Sequence, residues 1–374
     1  MNQNILILSD GKAGHLSQTR GLASALQLRI GGTIQELDLS GRGFFGKLRA
    51  VWGQKSEISR LRLKATPCQG DRRSLLRQGF HLRGYGYGGQ DGGQAEVGGK
   101  PAFIIAAGHG MHVPLLLAGL LFRRAKTVLC MKPSLPMSWF DFCVVPRHDL
   151  TPALLSHPPA YLIPTLGALH GVHPQPERPK KHTLILLGGP SKEFGWKAEQ
   201  LLEQLRAVIR GVRSQPPSPI GLRRPGRAES GENFLLTTSR RTPAGFVDVL
   251  RRTCPQIKVV PVEETPRGWV AENLASSEAV WVTRDSVSMI YEALGSGAPV
   301  GLLNMPSLSL EGAKKSRVAR GIEMLEQEGW VTSFDLWKQN GVMKSKGALV
   351  EVDRVAEILI NVPEHQVLFS KIRQ

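Results

Sequence analysis

Acidic residues are in short supply in this chain. Over 374 positions, 31 Asp and Glu stand against 48 Lys and Arg, a net charge of +17 at neutral pH. A surplus of that size points to an anionic partner: nucleic acid, acidic lipid or a phosphorylated small molecule. Composition does not choose among them. Cysteine is scarcer still. Cys68, Cys130, Cys143 and Cys254 are scattered without a Cys-x-x-Cys pair, which excludes a disulfide-stapled fold, offers no zinc site and fits a reducing compartment. Long apolar runs are missing too. The most apolar stretch, Phe103 to Phe122, is broken by Gly108, His109, Gly110, His112 and Pro114, whereas a spanning helix needs about 20 mostly apolar residues. The start of the chain, Met1-Asn2-Gln3-Asn4, has no basic leader, and Ile5–Leu8 is far shorter than the apolar core of a signal peptide. A cytoplasmic protein is expected, peripheral at most to the inner (cytoplasmic) membrane. What is present is hydrophobicity of 41%, enough for real cores and against wholesale disorder. The length suggests two domains.

Apolar runs alternate with helical periodicity along most of the chain. Ile5–Leu8 is a strand whose unbroken apolar character predicts burial on both faces of a parallel sheet. A helix follows, with Leu16, Leu22, Ala23 and Leu26 on one face, then a strand near Thr33–Leu39. Strands are also expected at Ala102–Ala106, Thr127–Met131 and Phe142–Val145, with a helix at Val113–Leu121. After the polar, Pro-rich segment His173–Pro179 the grammar repeats. Strands are expected at Thr183–Leu187, Asn233–Thr237, Ile257–Val262, Ala279–Thr283 and Val300–Leu303. Helices are expected at Lys197–Val212, Thr242–Arg252 and Val287–Leu294, the second started by Pro243. Such alternation indicates βαβ units. The expected architecture is α/β: two Rossmann-like domains with parallel sheets facing a central cleft. Residues 1–172 form the first, 173–181 a linker and 182–352 the second. A final helix near Asp353–Ile360 and its tail, residues 353–374, fold back on the first domain. Two flexible insertions are expected. Residues 66–100 hold ten of the 41 glycines, and residues 211–232 are rich in Pro, Arg and Ser.

In open parallel sheets ligands bind beyond the carboxyl ends of strands, and several turns sit there. In Ser9-Asp10-Gly11-Lys12-Ala13-Gly14-His15, Gly11 and Gly14 permit close backbone approach. His15 at a helix start can take a proton from a substrate hydroxyl; alternatively Asp10 merely caps the helix and His15 is a surface residue. Gly108-His109-Gly110-Met111-His112 is either the wall of an acceptor pocket or a tight turn needed for packing. Its two histidines lack further ligands, so no metal site is expected. Gly188-Gly189-Pro190-Ser191-Lys192 can offer amides to a phosphate, although it is neither a Walker A loop nor Gly-x-Gly-x-x-Gly. Thr237-Thr238-Ser239-Arg240-Arg241-Thr242-Pro243 pairs arginines with hydroxyls, as a diphosphate requires; a solvated basic turn is the other reading. Most specific is Val282–Val300. There Asp285, Ser286 and Ser288 begin a helix, and Glu292, four residues after Ser288, lies on nearly the same face. A helix start with hydroxyls can bind phosphate, and an inward carboxylate can accept both ribose hydroxyls; in the other reading Ser286 is a cap and Glu292 a surface acid.

Together, Asp-Gly-x-x-Gly-His before a helix (Asp10–His15), Gly-Gly-Pro-Ser (Gly188–Ser191), Thr-Thr-Ser-Arg-Arg-Thr-Pro (Thr237–Pro243) and Thr-x-Asp-Ser-Val-Ser-Met followed by Glu-Ala (Thr283–Ala293) resemble the mitochondrial fission ELM family. That family is named for a plant mitochondrial fission factor, and its bacterial members are described as GT-B glycosyltransferases. The likeness covers nearly the whole chain apart from the insertions. More distantly, the layout is similar to the GT-B enzyme that adds N-acetylglucosamine to the lipid-linked peptidoglycan precursor. Its first turn differs, with Asp10 and Lys12 here in place of Gly and Thr, and Pro190 is an insertion in its Gly-Gly-Ser turn.

The resemblance implies a GT-B-like fold and sugar transfer from a nucleotide-diphosphate donor to a cell-envelope or lipid-linked acceptor. It implies no cofactor or metal besides the nucleotide sugar as co-substrate. It implies His15 as general base with Asp10 as rival, and Gly11, Gly14, Gly108, His109 and Gly110 near the acceptor. Gly188, Gly189, Ser191, Ser239, Arg240, Arg241, Asp285, Ser286, Ser288, Glu292 and Lys314 fall to the donor, with Lys315 and Arg317 near Lys314. The other class of function it implies is a non-catalytic adaptor that recruits a dynamin-like partner. Charge placement refines the partner. Residues 41–64 carry seven basic side chains against Glu57, interleaved with Phe44, Phe45 and Trp52, which suits an acidic membrane surface; an ordinary basic surface helix is the other reading. Nucleic acid is not expected, since neither aromatic-basic RNA motifs nor a helix-turn-helix pattern is present.

Overall fold

A computed structural model of the protein describes residues 4–43, 45–54, 100–214, 234–266, 268–308 and 316–362. The chain divides into two units: Met1–Gly171 with Glu351–Gln374, and Val172–Val350. Of the two expected insertions, only Lys100 and residues 211–214 are among the described residues. Lys314, Lys315 and residues 55–64 also lie outside them.

The first unit is a six-stranded sheet in the order β2-β1-β3-β4-β5-β6, parallel throughout. Its strands are β1 (Asn4–Ser9), β2 (Ile34–Asp38), β3 (Pro101–Ala107), β4 (Lys126–Cys130), β5 (Phe142–Pro146) and β6 (Leu162–Thr165). Every residue of β1 is buried, as its unbroken apolar run requires of a strand covered on both faces. Helix α1 (Ala13–Ile30) turns Leu22, Ala23, Ala25 and Leu26 inward. Residues 45–54 form α2, whose Val51 packs into the cluster of Leu6, Leu8, Ile104, Leu115 and Leu129. Helices α3 (His112–Leu121) and α4 (Pro152–Ser156) follow β3 and β5. The final helix, α11 (Glu351–Asn361), packs against α1. Arg29 pairs with Asp353 at 3.0 Å, and Glu351 accepts the Leu166 N–H at 3.0 Å.

In the second unit the order is β12-β11-β10-β7-β8-β9, again all parallel. The strands are β7 (His182–Leu186), β8 (Phe234–Thr237), β9 (Ile257–Val260), β10 (Ser277–Thr283), β11 (Val300–Leu303) and β12 (Thr332–Ser333). Between them run α5 (Ala198–Ser214), α6 (Phe246–Thr253), α7 (Trp269–Ala275), α8 (Val287–Gly295), α9 (Arg317–Gln327) and α10 (Phe334–Asn340). Trp281 of β10 is buried edge-on against Trp337 of α10, with ring centroids 5.1 Å apart. The segment expected to link the domains is anchored here: Lys180 donates to the Ala275 carbonyl at 2.9 Å and Lys181 N–H to that of Ser276 at 2.8 Å.

Two sequence expectations need correction. The stretch between β5 and the linker holds α4 and the edge strand β6. Pro164 argues against a strand, yet an edge strand tolerates a residue without an amide hydrogen. Helix α6 starts at Phe246, four residues after the expected Thr242, because the Thr242 hydroxyl is spent on the Gly188 carbonyl and Gly245 caps the helix with φ +78°. Helix α5 starts at Ala198, one residue after the expected Lys197, so Gly188–Ser191 lies in the loop before it, as expected. Among the described residues no helix is long and apolar enough to cross a membrane.

Each sheet has one point at which the chain reverses its direction of travel, between β1 and β3 in the first unit and between β7 and β10 in the second. Loops leaving adjacent strands there run to opposite faces and open a crevice, the usual ligand position in this class of sheet.

Candidate functional site

At the β1/β3 crevice, Asp10 follows β1 and His15 lies in the first turn of α1. The His15 Nδ1 is 2.9 and 3.0 Å from the two Asp10 carboxylate oxygens. Asp10 also accepts the Lys12 N–H at 3.2 Å, while Lys12 itself caps α1 without a side-chain bond. Asp10 therefore binds the histidine instead of capping the helix. A neutral imidazole that donates from Nδ1 keeps its lone pair on Nε2, the form needed to accept a proton. His15 is half-buried, its side chain 19% exposed.

The second turn completes this arrangement. Gly108 has φ +92°, and a Cβ there would stand 2.6 Å from His15 Nδ1 and 3.2 Å from Asp10 Oδ2. A side chain at 108 would thus expel the imidazole. His109 and His112 share Ser134, their Nδ1 atoms 3.2 and 3.4 Å from its hydroxyl. Burial, with His109 adding a smaller Coulombic contribution, pushes the His112 ring below the ordinary imidazole value. Lys47 of α2 reaches the Gly110 carbonyl at 3.5 Å. Gly11 turns with φ +77°, and the space over Gly14 is open. Ser134 and Lys47 carried no local signal for this turn, because each comes to it only through the packing of β4 and α2.

In the second unit three strand ends converge. Gly188 N–H donates to Thr283 Oγ1 at 2.7 Å, and Gly189 N–H to Asp285 Oδ2 at 3.0 Å. Ser191 N–H donates to the Phe194 carbonyl at 2.8 Å, and Pro190 has no amide hydrogen. The amides of Gly188, Gly189 and Ser191 are therefore already used inside the protein. The Ser191 hydroxyl likewise accepts from the amides of Glu193 and Phe194 at 3.2 and 3.1 Å. Arg241 is engaged too, its Nη2 being 2.7 Å from Asp285 Oδ2. Ser239 accepts the Arg241 N–H at 3.2 Å and holds its turn. Arg240 is exposed and makes no hydrogen bond or ion pair among the described residues.

Helix α8 begins beside this cluster. Ser286 is its N-cap but makes no side-chain capping bond, and no acid lies in the first turn. The first-turn amides of a helix have no acceptor within it, so this end presents donors and positive potential. Ser286 is buried, and Ser288 and Glu292 are half-buried along α8. Lys314 is outside the described residues. Among those described, no group of three or more His, Cys, Asp or Glu side chains is placed to hold a metal ion.

An uncharacterised protein, RP120, of Rickettsia prowazekii (strain Madrid E) is 23% identical, aligned over 61% of this chain and 74% of that protein. Among solved structures, UDP-GlcNAc 2-epimerase from Neisseria meningitidis bound to UDP-GlcNAc is similar over 97% of this chain and 100% of its own. Its identity is 9% and its TM-score 0.47. Phytolacca americana UGT2, complexed with UDP-2fluoro-glucose and pterostilbene, is similar over 99% and 93%, with 11% identity and a TM-score of 0.44. The family model for mitochondrial fission ELM1 matches residues 13–362. The chain belongs to the mitochondrial fission ELM1 family.

Proposed function

We propose that this protein is a metal-independent glycosyltransferase of GT-B type. It moves a sugar from a nucleotide-diphosphate donor to a lipid-linked or saccharide acceptor of the cell envelope. The observation that carries the reading is the Asp10–His15 pair, a histidine held through Nδ1 at 2.9 Å beside the switch point of a parallel sheet. In the reaction the acceptor oxygen bonds to the anomeric carbon as the bond from that carbon to the diphosphate oxygen breaks. His15 Nε2 takes the hydroxyl proton, and Asp10 stabilises the resulting imidazolium. The departing diphosphate gathers negative charge, which the N-terminus of α8 with Ser286 and Ser288 is suited to receive. Glu292 is assigned to the ribose hydroxyls.

Helix α2 is assigned to the membrane. Phe45 and Trp52 are 81% and 62% exposed, seven positions apart and therefore on one face. With exposed Arg49 beside them, they suit an acidic lipid surface where a lipid-linked acceptor is presented.

A thermal-shift panel of UDP-, GDP-, ADP- and CMP-linked sugars tests the donor assignment, because a ligand of the folded state raises the melting temperature by mass action. At least one donor is expected to stabilise the protein, and Glu292→Ala to reduce that stabilisation. Absence of stabilisation by every compound would overturn the reading. With a donor in hand, His15→Ala is expected to slow transfer about 10²–10⁴-fold while the fold is retained. If His15→Ala and Glu292→Ala both leave cellular function intact, the adaptor role is favoured instead.

A further inference from the structure

A buried carboxylate stands where a diphosphate would be repelled. Asp285 precedes the N-cap of α8, the helix end assigned to the donor above. Its side chain is 0% exposed, and Oδ1 is buried without a hydrogen-bond partner among the described residues. The carboxylate is also fixed. Oδ2 receives the Gly189 N–H at 3.0 Å, and a Cβ at Gly188 would overlap both oxygens. Its counter-charge is Arg241, with Nη2 at 2.7 Å. The other end of the same guanidinium, Nη1, donates to the carbonyls of Gly189 and Pro190 at 3.2 and 3.3 Å. One arginine thus neutralises the acid and ties down the loop after β7. Arg240, its neighbour in sequence, is exposed with no such partner.

Resting on the donor-binding reading, we infer that the two arginines have different tasks. Arg241 is a positioning residue that cancels Asp285 and holds Gly188–Pro190, and Arg240 is the cation of this turn that meets the donor diphosphate. Removing one partner of a buried ion pair leaves the other charge uncompensated, which is far more damaging than removing both. Loss of Arg241 therefore acts through Asp285, and loss of Arg240 does not.

The test is titration calorimetry of the full chain with UDP, GDP, ADP and inorganic pyrophosphate, paired with denaturant unfolding of each variant. Arg241→Gln is expected to weaken binding about tenfold or more. Adding Asp285→Asn, which keeps an oxygen for the Gly189 amide, is expected to restore affinity to within about threefold of the wild type. Arg240→Gln is expected to weaken binding about tenfold with no rescue by Asp285→Asn. A double variant as weak as Arg241→Gln alone would make Arg241 a direct phosphate ligand and overturn the inference, as would an Arg240→Gln variant that binds normally. If Arg241→Gln does not fold, Arg241→Lys takes its place. That variant keeps the charge beside Asp285 but loses the fork to the Gly189 and Pro190 carbonyls; it is expected within about tenfold of wild type, and a loss of about a hundredfold counts against neutralisation. If the wild type binds none of the probes, the donor reading fails and with it the role of Arg240. The neutralising role of Arg241 is then decided by unfolding: Asp285→Asn must recover the stability lost in Arg241→Gln, and no recovery overturns it.

Discussion

His15 takes its orientation from a carboxylate five positions earlier, so the test of that pair is a change that keeps shape and removes charge. Asp10→Asn can still face Nδ1, but it no longer favours the tautomer with Nε2 free, and it gives an imidazolium no counter-charge. Transfer is expected to fall about 10²-fold or more, with the melting temperature little changed; initial rates beside thermal unfolding measure both. A drop in stability equal to that of a core mutant would instead mark the pair as structural. Glycine at 188 is dictated just as locally. A methyl group there must displace the Asp285 carboxylate, and Gly188→Ala is expected to cost about 1–3 kcal/mol in denaturant unfolding. An unchanged midpoint would show that the carboxylate can move.

Helix α2 divides its residues cleanly between core and solvent. Val51 is buried at 1% while Phe45 and Trp52 are mostly exposed, so the aromatic pair contributes little to the core of the unit. Phe45→Ser with Trp52→Ser is therefore expected to leave the melting temperature unchanged. Sedimentation with vesicles rich in phosphatidylglycerol is expected to show affinity reduced about tenfold or more. Equal binding before and after would remove α2 from the membrane face. Helix α8 illustrates how much one element end depends on its neighbours. Its N-cap hydroxyl forms no capping bond, and the acid just before it is neutralised from another strand end. The donors of its first turn are what remain for a ligand.

Over the whole molecule, the last helix belongs to the first unit. Val352, Val355, Ala356 and Leu359 of α11 are fully buried, and the helix covers α1, the element that carries His15. Leu359→Ala is expected to destabilise that unit by about 2–5 kcal/mol, a large part of a domain's usual 5–15 kcal/mol. Hydrogen exchange should localise the loss to α1, β1 and α11. Loss confined to α11 would mean that the helix is a loosely held appendage.

Much of this was legible in the sequence, for a physical reason. Apolar continuity marks a strand covered on both faces, as at Ile5–Leu8; a glycine turn followed by helical spacing marks the βα junctions after β1 and β3, and an Asp-Ser turn marks the one after β10. These signals are local, so the α/β class, the repeated grammar and the Asp10–His15, Gly108–His112 and Asp285–Glu292 segments could be read directly. What escaped was either masked by a breaker, as Pro164 hid the edge strand β6, or depends on strand order. Arg240 and Arg241 are equivalent by composition. Only the adjacency of the ends of β7, β8 and β10 sets Arg241 against Asp285, 2.7 Å away, and leaves Arg240 exposed. In the same way the Gly188–Gly189 amides resemble a phosphate cradle in one dimension, and Thr283 and Asp285 consume them in three. The sequence by itself determined the elements and the turns between them, because period and turn chemistry act over a few residues. The tertiary structure decided which of their polar groups remain available, because buried donors and charges must be satisfied by whatever the sheet order brings beside them.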